Sequence, residues 1–96
     1  MSFKLSFTRE AASVLKKLGT EKDPKLKKVR KALGLLEINP RHPSLATHEF
    51  TSLSGPAGEK VFEAYVENRT RSVWRIFWYY GPDPGMIRVL NIAPHS

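Results

Sequence analysis

Residues 71–80 read Arg-Ser-Val-Trp-Arg-Ile-Phe-Trp-Tyr-Tyr, and this run decides the fold. Aromatic and β-branched side chains dominate it, as in strands. The even positions Trp74, Ile76, Trp78 and Tyr80 are all bulky, whereas the odd set Val73, Arg75, Phe77 and Tyr79 includes a charge. Because strand side chains alternate between faces, the even set is expected to meet a core and the odd set to lie on an open face. Upstream, residues 60–67 carry Phe62, Ala64 and Val66 at alternate positions. A three-residue loop, Asn68-Arg69-Thr70, that pairs Glu67 with Arg71 keeps both apolar sets together and puts Glu63 opposite Arg75. Downstream, Gly81-Pro82-Asp83-Pro84-Gly85 predicts a five-residue turn into a strand at residues 86–92. That turn pairs Arg75 with Asn91 and sends Ile87, Val89 and Asn91 to the open face, beside Glu63, Tyr65, Arg75, Phe77 and Tyr79.

Further out, Phe3, Leu5 and Phe7 alternate with polar residues and predict a first strand. Thr8 is a capping residue, and Ala11, Val14, Leu15 and Leu18 have the spacing of an amphipathic helix ending at Gly19. Asp23 and Pro24 read as N-cap and first residue of a second helix. Its apolar stripe is Leu26, Val29, Leu33 and Leu36, and Asn39-Pro40 stops it. Lys27, Lys28 and Lys31 fall on the opposite side, facing water or a partner. Between residues 39 and 58 Pro, His, Ser and Gly prevail, with one short strand expected near residues 48–53. The fold class expected is α+β, a two-layer domain over residues 1–96 in the order β-α-α-β-β-β-β. Its sheet is mostly antiparallel, with a helical hairpin on one face.

With 41 % hydrophobic residues in 96, the composition excludes a disordered chain and suits one domain that buries about 60 to 65 % of its unfolded surface. The chain has no cysteine, which excludes disulfides, thiolate metal sites and cysteine nucleophiles and makes the cytoplasm the expected location. No apolar run approaches the roughly 18 residues that span a bilayer, and the N-terminus lacks a signal-peptide pattern, so neither membrane association nor export is expected. The net charge is +7, and all of the excess lies in residues 1–41, with eleven Lys plus Arg against four Asp plus Glu. Such a basic face suits a polyanionic partner, although a solvated surface has the same composition.

There is no phosphate-binding glycine loop, paired-histidine metal spacing, zinc pattern or serine nucleophile elbow, so no metal and no small-molecule cofactor is expected. Several features together resemble the RelE/ParE superfamily of bacterial toxin–antitoxin toxins: the length, the element order, RHPSLATH at 41–48, VWRIFWYYG at 73–81 and VLNIAPH at 89–95. The resemblance covers nearly the whole chain. The step Trp74-Arg75-Ile76 and the histidine after the last strand, His95, are similar to the RNA-cleaving RelE-like branch.

That resemblance implies a RelE/ParE-like fold and a metal-independent endoribonuclease that cuts mRNA in the ribosomal A site by attack of the 2′-hydroxyl on the adjacent phosphate. It implies a cognate antitoxin as protein partner, with the ribosome and mRNA as targets. Arg75 matches the strand arginine, suited to an oxyanion forming on phosphorus, and His95 matches the general acid. For the general base, relatives use a loop acid or paired lysines. Here the loop offers Ser44 and the strand Lys60, so Glu63, Tyr65, His42 and His48 remain candidates. Lys60, Arg69, Arg71 and Tyr79, with Lys27, Lys28 and Lys31, are the expected RNA contacts. Two plainer readings stand beside these. Arg75 and Glu63 make an ordinary cross-strand ion pair of roughly 0.2 to 1 kcal/mol, and a straight last strand leaves His95 about 13 Å from Arg75 unless Pro94 turns it out. The alternatives for function are a ParE-like DNA gyrase inhibitor and a non-catalytic basic RNA-binding module.

Overall fold

Thr8 joins the first strand, the first helix and the last strand through one hydroxyl. Its Oγ1 accepts from Ala11 N at 3.2 Å, capping the helix, and donates to Leu90 O at 2.6 Å. The computed structural model describes residues 2–67 and 73–94. In chain order its elements are β1 (Lys4–Phe7), α1 (Arg9–Thr20), α2 (Lys25–Ile38), a 3-10 turn (Pro43–Leu45), β2 (His48–Ser54), β3 (Lys60–Tyr65), β4 (Trp74–Tyr80) and β5 (Met86–Pro94). The N-cap of α2 is Pro24 and not Asp23, so the helix starts one residue later than expected, with Asp23 Oδ1 just outside it accepting from Lys25 N at 2.9 Å.

The five strands form one sheet in the order β1-β5-β4-β3-β2, antiparallel except for β1 against β5. Both helices cover one face. Val29, Leu33 and Leu36 of α2 and Ala11 and Leu18 of α1 are buried in one apolar cluster with Ala64, Ile76 and Trp78. The even positions of β4 thus meet the helices as far as Trp78, while Tyr80 emerges 39 % exposed at the sheet end.

The strand registers differ from those expected. Arg75 stands opposite Tyr65 and Glu63 opposite Phe77, a slip of two residues. A two-residue slip preserves which face each side chain takes, which is why the alternation is right while the pairing is not. Between β4 and β5, Tyr80 pairs with Ile87 and Trp78 with Val89, but Phe77 pairs with Asn91 and Arg75 with Ala93. Leu90 is therefore an extra residue, a bulge in β5. It reverses the expectation for Ile87 and Val89, which are fully buried against the helices together with Ile92. Pro94 does not leave the ladder, since it pairs with Trp74.

The bulge also furnishes the other face. Val61, Phe77 and Tyr79 are buried there as a second cluster, with Phe50 and Leu90 packed against them. β2 runs along this edge, and Phe50 meets Phe77 edge-on with ring centroids 5.0 Å apart.

Candidate functional site

Beyond the apolar cluster, the open face holds one polar group of four side chains. Glu63, on β3 between its two neighbours, is only 2 % exposed. A buried carboxylate is costly unless hydrogen bonds surround it, and three donors do so here. Arg75 Nη1 from β4 bonds Oε2, while His48 Nε2 from β2 lies 2.7 Å from Oε1 and Tyr65 Oη donates to the same oxygen at 3.3 Å. The two-residue slip makes this arrangement possible. It sets Arg75 diagonally from Glu63 on the β4 side, while on the β2 side His48 is the residue directly opposite.

Arg75 is held on two sides, by the carboxylate and by the Phe77 ring, whose centroid lies 5.1 Å from Cζ. Its side chain is 18 % exposed, and its buried Nε has no hydrogen-bond partner among the described residues. His48 is the exposed rim of the group at 49 %. Its Nδ1 is 3.1 Å from Ala46 O, so both ring nitrogens face acceptors, and the ring with two N–H groups satisfies both. The rings of His48 and Tyr65 are 5.6 Å apart. Burial, then the Glu63 charge and hydrogen bond, push the Tyr65 phenol above its ordinary value of 10.0, with Arg75 opposing.

Of the residues singled out from sequence, Arg75, Glu63 and Tyr65 come together, and His48 joins them. His95, Arg69 and Arg71 lie outside the described residues. His42 sits apart in function, its Nδ1 accepting from Ser44 N at 3.1 Å to start the 3-10 turn. Tyr79 is 4 % exposed within the second cluster, so it presents no ring face on which a base could stack, contrary to expectation. Lys60 is exposed at the start of β3, and Lys27 and Lys31 are exposed on α2. Lys28 is exposed too but bonds Glu67, which also meets Lys25 at 3.2 Å. Those two lysines hold the Glu67 carboxyl below its usual range.

Among solved structures, the chain is similar to the crystal structure of the archaeal RelE–RelB complex from Pyrococcus horikoshii OT3, with a TM-score of 0.67. The likeness covers 98 % of this chain and 96 % of that one. The fold is RelE-like. At 14 % sequence identity the agreement is one of architecture. No family model matches the sequence, and no curated protein matches it. No helix of the RelE-like fold, among the described residues, is long and apolar enough to cross a membrane.

Proposed function

We propose that this chain is the toxin of a toxin–antitoxin pair and acts as a ribosome-dependent endoribonuclease on mRNA in the cytoplasm. The observation that carries the reading is Arg75, fixed by the Glu63 carboxylate on the open face of a RelE-like sheet. A guanidinium has five N–H donors, and the bond to Glu63 engages only part of them. The remainder suit a phosphoryl oxygen whose charge grows as the 2′-oxygen attacks, and a pre-set donor stabilises that transition state without reorganisation. Glu63, enclosed by three donors, acts here as the group that positions Arg75. His95 serves as proton donor to the departing 5′-oxygen, as the family resemblance implies, and the chemistry needs no metal. Lys27, Lys31 and Lys60 contribute phosphate attraction without sequence preference, and Arg69 and Arg71 are assigned the same part from sequence. The neighbouring RelE is solved together with RelB, which supports an antitoxin as this chain's protein partner.

The test is incubation of the purified protein with a defined mRNA, with and without programmed ribosomes, mapping new 5′ ends. Cuts should require ribosomes and should fall by about 100-fold or more in Arg75→Ala and in His95→Ala. Absence of cutting by the wild type on engaged ribosomes would favour gyrase inhibition or a non-catalytic RNA-binding module.

A further inference from the structure

The end of the sheet away from Arg75 carries aromatic side chains that the proposed reaction does not use. Tyr80 lies about 17 Å along β4 from Arg75, and alternation gives its side chain the opposite face. It is 39 % exposed, although its ring meets those of Phe3, Phe62 and Trp78 at centroid distances of 5.7, 5.7 and 4.9 Å. Phe3, Tyr80 and the turn at residues 81–85 line a cleft of about 240 Å³. Backbone bonds hold that turn in place: Gly81 N donates to Met86 O at 2.8 Å, Met86 N to Asp83 O at 3.1 Å and Lys4 N to Gly85 O at 2.9 Å. Asp83 is the acid in the lining, and its exposed carboxylate has no hydrogen bond or ion pair among the described residues.

We infer that this cleft binds a guanine base of RNA, an inference that rests on the RNA-directed reading above. Aromatic surface open to water suits the π-face of a base. With centroids 5.7 Å apart the Phe3 and Tyr80 rings touch each other, so the base lies against them and not between them. A carboxylate only accepts hydrogen bonds, and its two oxygens suit a pair of parallel N–H donors. Among the four RNA bases, guanine presents such a pair on one edge, N1–H and the 2-amino group.

An arginine of a protein partner has a similar flat donor edge. Against that occupant, Arg41 stands one ring away, its Cζ 5.4 Å from the centroid of Phe62, and the chain carries +7. Such surroundings repel a guanidinium and attract the phosphates on either side of a neutral base. Tyr80 and Asp83 thereby add a choice of base to phosphate contacts that make none.

The experiment is titration of the nitrogen-15-labelled full chain, without ribosomes, with GMP, IMP, AMP or N-acetyl-arginine amide, following the backbone amides of Tyr80, Gly81, Asp83, Gly85 and Met86. GMP should shift them saturably, with AMP and with IMP, which lacks the 2-amino group, each binding about tenfold more weakly. Asp83→Asn should bring GMP and AMP to within about twofold of each other, and Tyr80→Ala should weaken every nucleotide about tenfold. If Tyr80→Ala melts well below wild type, Asp83→Asn decides alone, because that side chain is exposed and bonded to nothing described. The trinucleotide ApGpA should bind more tightly than GMP, and Arg41→Ala should remove the gain. ApGpA no tighter than GMP would make a free guanine nucleotide the ligand and overturn the RNA assignment. No shift with GMP, equal binding of GMP and AMP, or preference for the arginine amide, the mark of a protein partner, would overturn the guanine cleft. Ribosome-dependent cutting by a chain that binds no GMP removes the cleft alone, and GMP binding by a chain that does not cut removes the cleavage reading alone.

Discussion

At the scale of single residues, Glu63 is where stability and chemistry meet. Replacing it with Ala leaves the Arg75 guanidinium in a largely enclosed position with no counter-charge. Breaking one side of a buried ion pair costs on the order of 3 kcal/mol, well above an exposed cross-strand pair. Urea denaturation of Glu63→Ala should show that loss, and a change near 0.5 kcal/mol would mean that Arg75 finds water instead. Tyr65 makes a pH-dependent contribution of definite sign. Its phenol is raised above 10.0 in the folded chain, so the stabilisation is fully present below that value and is lost as pH rises through the folded value. The difference in unfolding midpoint between wild type and Tyr65→Phe should therefore be flat at neutral pH and change only above about pH 10.

At the scale of elements, the bulge at Leu90 keeps two halves of β5 loyal to one core. Ile87 and Val89 face the helices at odd positions and Ile92 at an even one, which one extra residue reconciles. Deleting Leu90 restores an uninterrupted ladder and must turn either the first two or the third of these side chains outward. Exposing apolar groups of this size costs about 1.5 to 3 kcal/mol each, so the deletion variant should lose cooperative unfolding in calorimetry. The same element shows how much was legible in the sequence. The two helices, the Thr8 cap, β1, β3 and β4 follow from local pattern, because period and capping chemistry act within a few residues. Register does not, since a slip of two residues in β3–β4 leaves the alternation untouched. The switch of apolar parity between Val89 and Ile92 was the available sign of the bulge, and a straight-ladder count passes over it. The sequence alone does not single out His48 among its three histidines. Its place opposite Glu63 depends on β2, the strand with the weakest sequence signal, where only Phe50 is even partly buried.

At the scale of the whole molecule, the net charge of +7 has all of its excess in residues 1–41, which hold both helices, while the polar group lies on the sheet face turned away from them. Under the proposed function, attraction and reaction are thereby separated. Reversing Lys27 and Lys31 to Glu should weaken association with ribosomes and flatten its salt dependence, because fewer phosphate counterions are released. The far-ultraviolet dichroism and melting midpoint should stay close to wild type, since both side chains are exposed.

The parallel pairing of β1 with β5 has a consequence in time. Lys4 is bonded into the sheet beside Met86, so β1 has no strand partner until β5 has been translated. β4, which bears Arg75, likewise has its second neighbour only then. Domains dominated by such distant pairings fold late and slowly. A nascent copy emerging from the ribosome therefore carries Arg75 on an unfinished sheet until β5 has joined it.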